Sequence, residues 1–322
     1  MRLLSTVLVA ALALAGGVAP AAAQSDYPTR QIDFIVPFPP GGPLDAAMRI
    51  LQPSLQATLG HPIVLVNKGG GGGALGMDVV AKSKPDGYTV AASVKSTLTI
   101  LAATRPDLPY KVNEFIPVAN AVSDLGVITT KAGGRWKSLE ELVADARKNP
   151  GKLSYGSAGV GTVSFFMMEL FKLSYGVDIA HVPFSGSAPV KNAVLGGHVD
   201  LGSSGISTMA PLIKSGDLIP LVTTSPTRLA RYPDLPTIGE TVPGFQMVAW
   251  FGLFAPAATP PQAIGRLRTE VARFLAIPDT REKFNQTGPE PWTTRPDEFA
   301  AVIRSDYERN GKLVKSVGIR ID

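Results

Sequence analysis

Two glycine-bearing loops concentrate the chemistry open to this sequence. The first runs Pro37-Phe38-Pro39-Pro40-Gly41-Gly42-Pro43-Leu44-Asp45, the second Gly156-Ser157-Ala158-Gly159-Val160-Gly161-Thr162. Each follows an apolar run and precedes a stretch of helical periodicity. A helix start presents backbone N–H groups without intrahelical partners and the positive end of the helix dipole, a combination that favours a carboxylate or phosphate. Glycine lets such a group approach the main chain. Either loop alone reads equally well as a tight turn, with Asp45 capping the first. Two loops in the same setting, the second with added hydroxyls, weigh toward an anion site.

Other chemistries find little support. The glycines of the second loop run G-x-x-G-x-G, not G-x-G-x-x-G. No G-x-x-x-x-G-K-[ST] is present, and Asp178 precedes a strand where a ribose-binding acid would end one, so a dinucleotide site is disfavoured. Gly202-Ser203-Ser204-Gly205 falls one residue short of a nucleophile elbow. The chain has no Cys, which removes thiol catalysis, disulfides and thiolate metal sites, and its three His, His61, His181 and His198, lack metal-ligand spacing. His181 reads as a satisfied core residue, and Glu140-Glu141 as a solvated helix start. Gly69–Gly73 reads as a mobile surface loop. Trp250–Phe254 could line a cleft but reads first as core packing. No catalytic residue, cofactor or metal is expected. Lys+Arg 31 against Asp+Glu 26 gives +5 with no dense basic run, so no nucleic-acid partner is expected either.

The elements that must position these loops form a βαβ series. Strands are expected at Gln31–Val36, Ile63–Val66 and Tyr88–Ser93. Helices are expected at Leu44–Leu59, with Leu44, Ala47, Met48, Leu51 and Leu55 on one stripe, and at Ala74–Ser83. The theme repeats in the middle of the chain: a strand at Gly126–Thr130, a capping box Ser138–Glu141 opening a helix to Lys148, then strands at Leu153–Tyr155, Ile179–Val182, Val199–Gly202 and Ile219–Thr223. Helices Thr162–Tyr175 and Ala188–Leu195 lie between them. Two C-terminal helices carry the stripes Ile264, Leu267, Val271, Phe274 and Phe299, Val302, Ile303, Tyr307.

Length and pattern thus predict two α/β units, the second inserted into the first: residues 24–124 with 250–322, and 125–249. The N-terminus has Arg2, an apolar run Leu3–Ala15 of about 13 residues, too short for a spanning helix of ~20, and Ala21-Ala22-Ala23. This predicts a secretory signal peptide over 1–23 and a periplasmic protein.

The ordered set of motifs resembles the tripartite tricarboxylate transporter substrate-binding proteins, the Bug or TctC-type periplasmic solute receptors. It comprises Tyr27–Arg30, Ile35–Gly42 with Asp45, Lys84–Thr89, Pro150–Tyr155, Ser157–Gly161, His181–Pro189 and Trp250–Leu253 followed by Ala255-Pro256. The resemblance spans essentially the whole mature chain. It implies an α/β, two-lobed, Venus-flytrap periplasmic binding protein with a mixed, mainly parallel sheet in each lobe and a cleft between them. It also implies a small organic carboxylate as ligand and a membrane transporter, or a sensor protein, as partner of a monomer. Carried over, the ligand set is Pro40, Gly41, Gly42 and Asp45 from the first loop and Ser157, Ala158, Gly159, Gly161 and Thr162 from the second. Phe38 of the first loop, Ser93 at the end of the third strand and Lys95 just after it join the candidates; Lys95 could meet a distal carboxylate but reads first as a solvated lysine. Three departures complete the set. Phe165 replaces a familiar His, Phe184 a familiar Tyr, and Ser204 an Asp that serves as partner for an ammonium group. These favour an aromatic or aliphatic acid over an amino acid.

Overall fold

The computed structural model describes residues 27–242, 245, 247–287, 290–292 and 294–317; the expected leader lies outside them. The first unit builds β1 (Ile32–Val36), α1 (Pro43–Leu59), β2 (Ile63–Asn67), α2 (Ala74–Ala81) and β3 (Thr89–Val94). β1 lies between β2 and β3 and is parallel to both, with Ile32 opposite Ile63 and Asp33 opposite Thr89. α1 begins with Pro43 in its first turn, where a missing N–H costs nothing, and stops at Gly60, whose φ of 73° ends it in the left-handed conformation. Its expected stripe is buried against the sheet together with Leu59.

β4 (Phe115–Lys131) is 17 residues long, far longer than the expected Gly126–Thr130. The second unit follows with α3 (Leu139–Lys148), β5 (Ser154–Ser157), α4 (Val163–Tyr175), β6 (Ala180–Pro183), α5 (Ser187–Gly196), β7 (Leu201–Gly205), α6 (Ile206–Ser215) and β8 (Leu218–Thr223). The chain then returns through β9 (Val248–Pro256), α7 (Pro261–Leu275), α8 (Pro278–Thr287), β10 (Glu290–Pro291) and α9 (Pro296–Val317). Ser138 caps α3 by accepting from Glu141 N, as its capping box predicts. On α9, Phe299 and Ile303 are buried, whereas Tyr307 of the expected stripe is exposed.

The strands form one mixed sheet in the order β2-β1-β3-β9-β4-β7-β5-β6, with β8 and β10 also on β4. Parallel pairs occupy its two ends; every pair made by β4 or β9 is antiparallel. The N-terminal part of β4, Phe115–Leu125, pairs with β9, and the C-terminal part, Gly126–Lys131, pairs with β7 and β8. β4 is therefore a single strand spanning both units. Apolar clusters lie on either side of it. One joins α1 and α7 to β1, and another packs Phe166, Met168 and Phe171 of α4 with Tyr155 of β5 and with Leu139, Leu142 and Ala146 of α3. Each such buried aromatic stabilises the fold by about 1.5–3 kcal/mol.

Gly69–Gly73 is not a free surface loop. Gly71–Gly73 form a 3-10 turn, and a Cβ on Gly72 would come 3.0 Å from Val160 O in the second glycine loop. The positive φ of 67° at Gly72 and this close approach account for the run better than mobility does. No described helix is long and apolar enough to cross a membrane.

Candidate functional site

Four helix starts converge on one cavity of about 80 Å3, room for roughly six water-sized spheres. Gly42, Pro43 and Leu44 come from the start of α1; Thr162, Val163 and Ser164 from α4; Ser187 from α5; and Gly205 from the approach to α6. Gly42, Gly186 and Gly205 are N-caps without a side-chain cap, so their helices begin with no hydroxyl or carboxylate of the cap residue on the backbone donors. The rest of the wall includes Phe38, Val94, Leu125, Met167 and Phe251, which are apolar, and Ser96, Ser204 and Asp124, which are not. Neither lysine, arginine nor histidine lines the cavity. The charged side chains among the described lining residues are the two acids Asp45 and Asp124.

Of the residues expected from the sequence, the cavity brings together Phe38, Gly42, Asp45, Ala158, Thr162 and Ser204. Asp45 is 2% exposed and fully engaged. It accepts from Gly41 N at 2.9 Å, from Arg49 Nε at 2.8 Å and from Asn67 Nδ2 at 3.1 Å. Burial opposes its ionisation, but these bonds outweigh burial and hold its carboxyl below the usual range. Its role is to fix the first loop; Asn67 extends the clamp by donating to Phe38 O at 2.9 Å. Thr162 Oγ1 donates to Gly159 O at 2.6 Å and accepts from Phe165 N, so it shapes the start of α4.

The other expected residues line no part of the cavity. Pro40 and Gly41 are exposed on the first loop, and Gly159 and Gly161 turn the second. Ser157 Oγ, fully buried, is taken up by His181 Nε2 at 2.7 Å and Gly159 N at 3.2 Å. His181 stacks on Tyr155 with centroids 4.8 Å apart and meets Phe165 at a tilt at 4.9 Å, and burial lowers its pKa. Phe165 thus belongs to the core beneath the loop. Phe184 sits against Gly156, where an added Cβ would come 3.0 Å from its ring. Ser93 is buried and bonded to Thr97 Oγ1 at 2.6 Å.

Lys95 lies in a separate groove of about 550 Å3 with Trp250, Trp292, Asp306 and Arg309. Strand alternation explains the separation: Ser123, Val248 and Trp250 face that groove, whereas Asp124, Ala249 and Phe251 face the cavity. Lys95 Nζ pairs with Asp306 Oδ1 at 3.1 Å, both side chains being buried. Desolvation pulls the lysine pKa down against the pull of Asp306.

Asp124 was not expected. It is 2% exposed and accepts from Ser207 N at 3.3 Å and Ser207 Oγ at 2.7 Å. Burial pushes its pKa up to about 6 against the opposing bonds from Ser207 and the positive charge of Arg231. Ser164 was also missed. Its Oγ accepts from Ala158 N at 3.0 Å and so ties the second loop to α4. Ser204 Oγ, buried at the cavity wall, has no hydrogen-bond partner.

Two α/β lobes bridged by β4 and β9, with a cavity walled by helix starts, define a protein of the periplasmic binding-protein class, the fold of its solved neighbours. A family model described as "Tripartite tricarboxylate transporter family receptor" matches residues 47–319, and the chain belongs to that family. Protein BugT of Bordetella pertussis is 34% identical over 100% of this chain and 99% of its own. The solved periplasmic binding protein BugD is 31% identical with a TM-score of 0.86, covering 91% of this chain and 99% of BugD. R. palustris Rpa4515, solved with adipate, is 30% identical with a TM-score of 0.88, covering 91% and 99%. MatC from Rhodopseudomonas palustris, solved with bound malate, is 31% identical with a TM-score of 0.84, covering 89% and 100%.

Proposed function

We propose that this protein captures a small organic carboxylate in the periplasm, after export by its leader, and presents it to the membrane subunits of a tripartite tricarboxylate transporter without transforming it. The observation that carries this reading is the cavity wall. It holds the starts of four helices and neither lysine, arginine nor histidine, the arrangement that serves an anion through backbone donors alone. Phe38, Val94, Met167 and Phe251 suit the carbon chain of an aliphatic or aromatic acid. Adipate and malate in the related solved proteins support the same ligand class. Residues 24–124 with 250–322 act as one lobe and 125–249 as the other, hinged where β4 and β9 pass between them. The ligand favours the closed form through contacts made to both lobes at once. No general base is needed.

A thermal-shift screen of carboxylic acids on the purified mature chain tests this. An acid at ~100 times its dissociation constant adds about 2.7 kcal/mol of stability and raises the melting temperature. No shift with any mono-, di- or tricarboxylate contradicts the reading, as does turnover of the bound acid.

A further inference from the structure

Asp124 accepts from Ser207 N and Oγ in the first turn of α6 and so serves that helix start, yet burying an ionised carboxylate beside an anionic ligand is penalised twice, by desolvation and by like charge. Asp45, the other acid at the cavity, is clamped by Arg49, Asn67 and Gly41 N. Asp124 accepts from Ser207 N and Oγ and feels the positive charge of Arg231, and among the described residues no Lys, Arg or His lines the cavity itself. On the paired strand stands Ser204, 1% exposed, its Oγ without a partner. β4 and β7 pair with Gly126 opposite Gly205 and Val127 opposite Ser204, which brings the Asp124 carboxylate over Gly205. A Cβ there would overlap Asp124 Oδ2, so the space a side chain at 205 would fill belongs to this carboxylate.

We infer that Asp124 and Ser204 Oγ form an accepting subsite that selects acids bearing a hydrogen-bond donor, an ammonium or a hydroxyl group, beside their carboxylate. A donor placed between the ligand carboxylate and Asp124 offsets the like-charge penalty, adds a bond to the carboxylate that Ser207 already serves, and gives Ser204 Oγ a partner. This departs from the preference for an aromatic or aliphatic acid over an amino acid that Ser204 suggests from sequence. The inference rests on carboxylate capture by the cavity and specifies which carboxylates.

Calorimetric titration of the mature chain with matched acids tests it. Suitable sets are propionate, lactate and alanine; succinate, malate and aspartate; glutarate, 2-hydroxyglutarate and glutamate; and 3-phenylpropionate, 3-phenyllactate and phenylalanine. In the set that binds best, the hydroxy or amino acid binds tenfold or more tightly than the unsubstituted acid. Asp124→Asn shrinks that ratio at least fivefold and Ser204→Ala lowers it in part, with loss of the donor-bearing acid rather than of all acids alike. An unsubstituted acid that binds as tightly as its donor-bearing partners overturns the inference in the wild-type protein, before any variant is made, and leaves carboxylate capture standing. A ratio unchanged in Asp124→Asn overturns it too. Absence of binding across all sets defeats both this inference and the capture reading beneath it.

Discussion

Asp124 and Gly205 share one volume: the carboxylate of the first occupies the space that a Cβ on the second would take. Gly205 has φ −63° and ψ 140°, a conformation open to any residue, so its need for glycine is purely steric. Gly205→Ala must therefore displace Asp124 or the start of α6. We expect a loss of about 1–3 kcal/mol in urea unfolding, the usual cost of overpacking, together with weakened ligand binding. In an Asp124→Ala background the same substitution should cost far less. An equal cost in both backgrounds would contradict the shared-volume account.

Asp124 should also write a pH signature on stability. Its folded pKa, about 6, lies above the ordinary 3.8, so the folded state holds the proton more tightly than the unfolded chain. The stabilisation is complete below pH 4, is lost as pH rises to about 6, and is constant above that, roughly 3 kcal/mol in all. The Asn variant lacks this dependence. The stability of Asp124→Asn relative to wild type should therefore rise by that amount between pH 4 and pH 7. A flat difference across that range would contradict the dominance of burial over the Ser207 bonds and the Arg231 charge at this carboxyl.

Lys95 and Asp306 form a buried pair on the face of the sheet away from the cavity, and Trp250 Nε1 donates to the same carboxylate at 2.8 Å. Lys95→Met should destabilise by about 1–3 kcal/mol, because it leaves a buried acid with Arg309 and the Trp250 N–H but without its buried cation. Lys95→Met with Asp306→Asn should recover part of the loss, since Asn still accepts from Trp250. Ligand affinity in Lys95→Met should stay within about threefold of wild type, measured by titration. A large affinity loss in a folded variant would place Lys95 in the site.

Closure can be probed where the lobes meet. A Cβ on Gly186 would come 3.1 Å from Pro39 Cδ, and its extended backbone carries no left-handed strain. Gly186→Val should wedge the first loop away from α5. We expect a larger radius of gyration with ligand by small-angle scattering and an affinity lower by tenfold or more. An unchanged radius and affinity would show that this contact does not gate closure.

The outer parts of the fold were legible because each element carried its own signal. α1 has Pro43 at its start, Gly60 at its end and one apolar stripe between them, and Ser138 and Thr162 announce α3 and α4 as caps. β4 was half legible. Pro117, Asn120, Ser123 and Asp124 break the apolar alternation of its first half, and its partner β9 lies far along the chain. Asp124 lies in that break, where the sequence marks only the boundary between the two units. Both glycine loops were found, but their hydroxyls were assigned by type. Ser157 and Thr162 turn out to be spent on His181 and on the cap of α4, while Ser204, noted only as the loss of an acid, is the one left unpaired. Lys95 was placed by its position after β3, and its true partner, Asp306, is brought by a C-terminal helix whose docking no local pattern records.

The central claim is that backbone donors at converging helix starts hold an ionised carboxylate without converting it. Titration calorimetry with the best acid and with its methyl ester, followed by recovery of the ligand, tests this most directly. The account predicts that the acid binds saturably and is recovered intact, and that esterifying the held carboxylate weakens binding by at least a hundredfold, since that removes the charge the helix starts serve. Equal binding of acid and ester, or recovery of a chemically altered ligand, would contradict it.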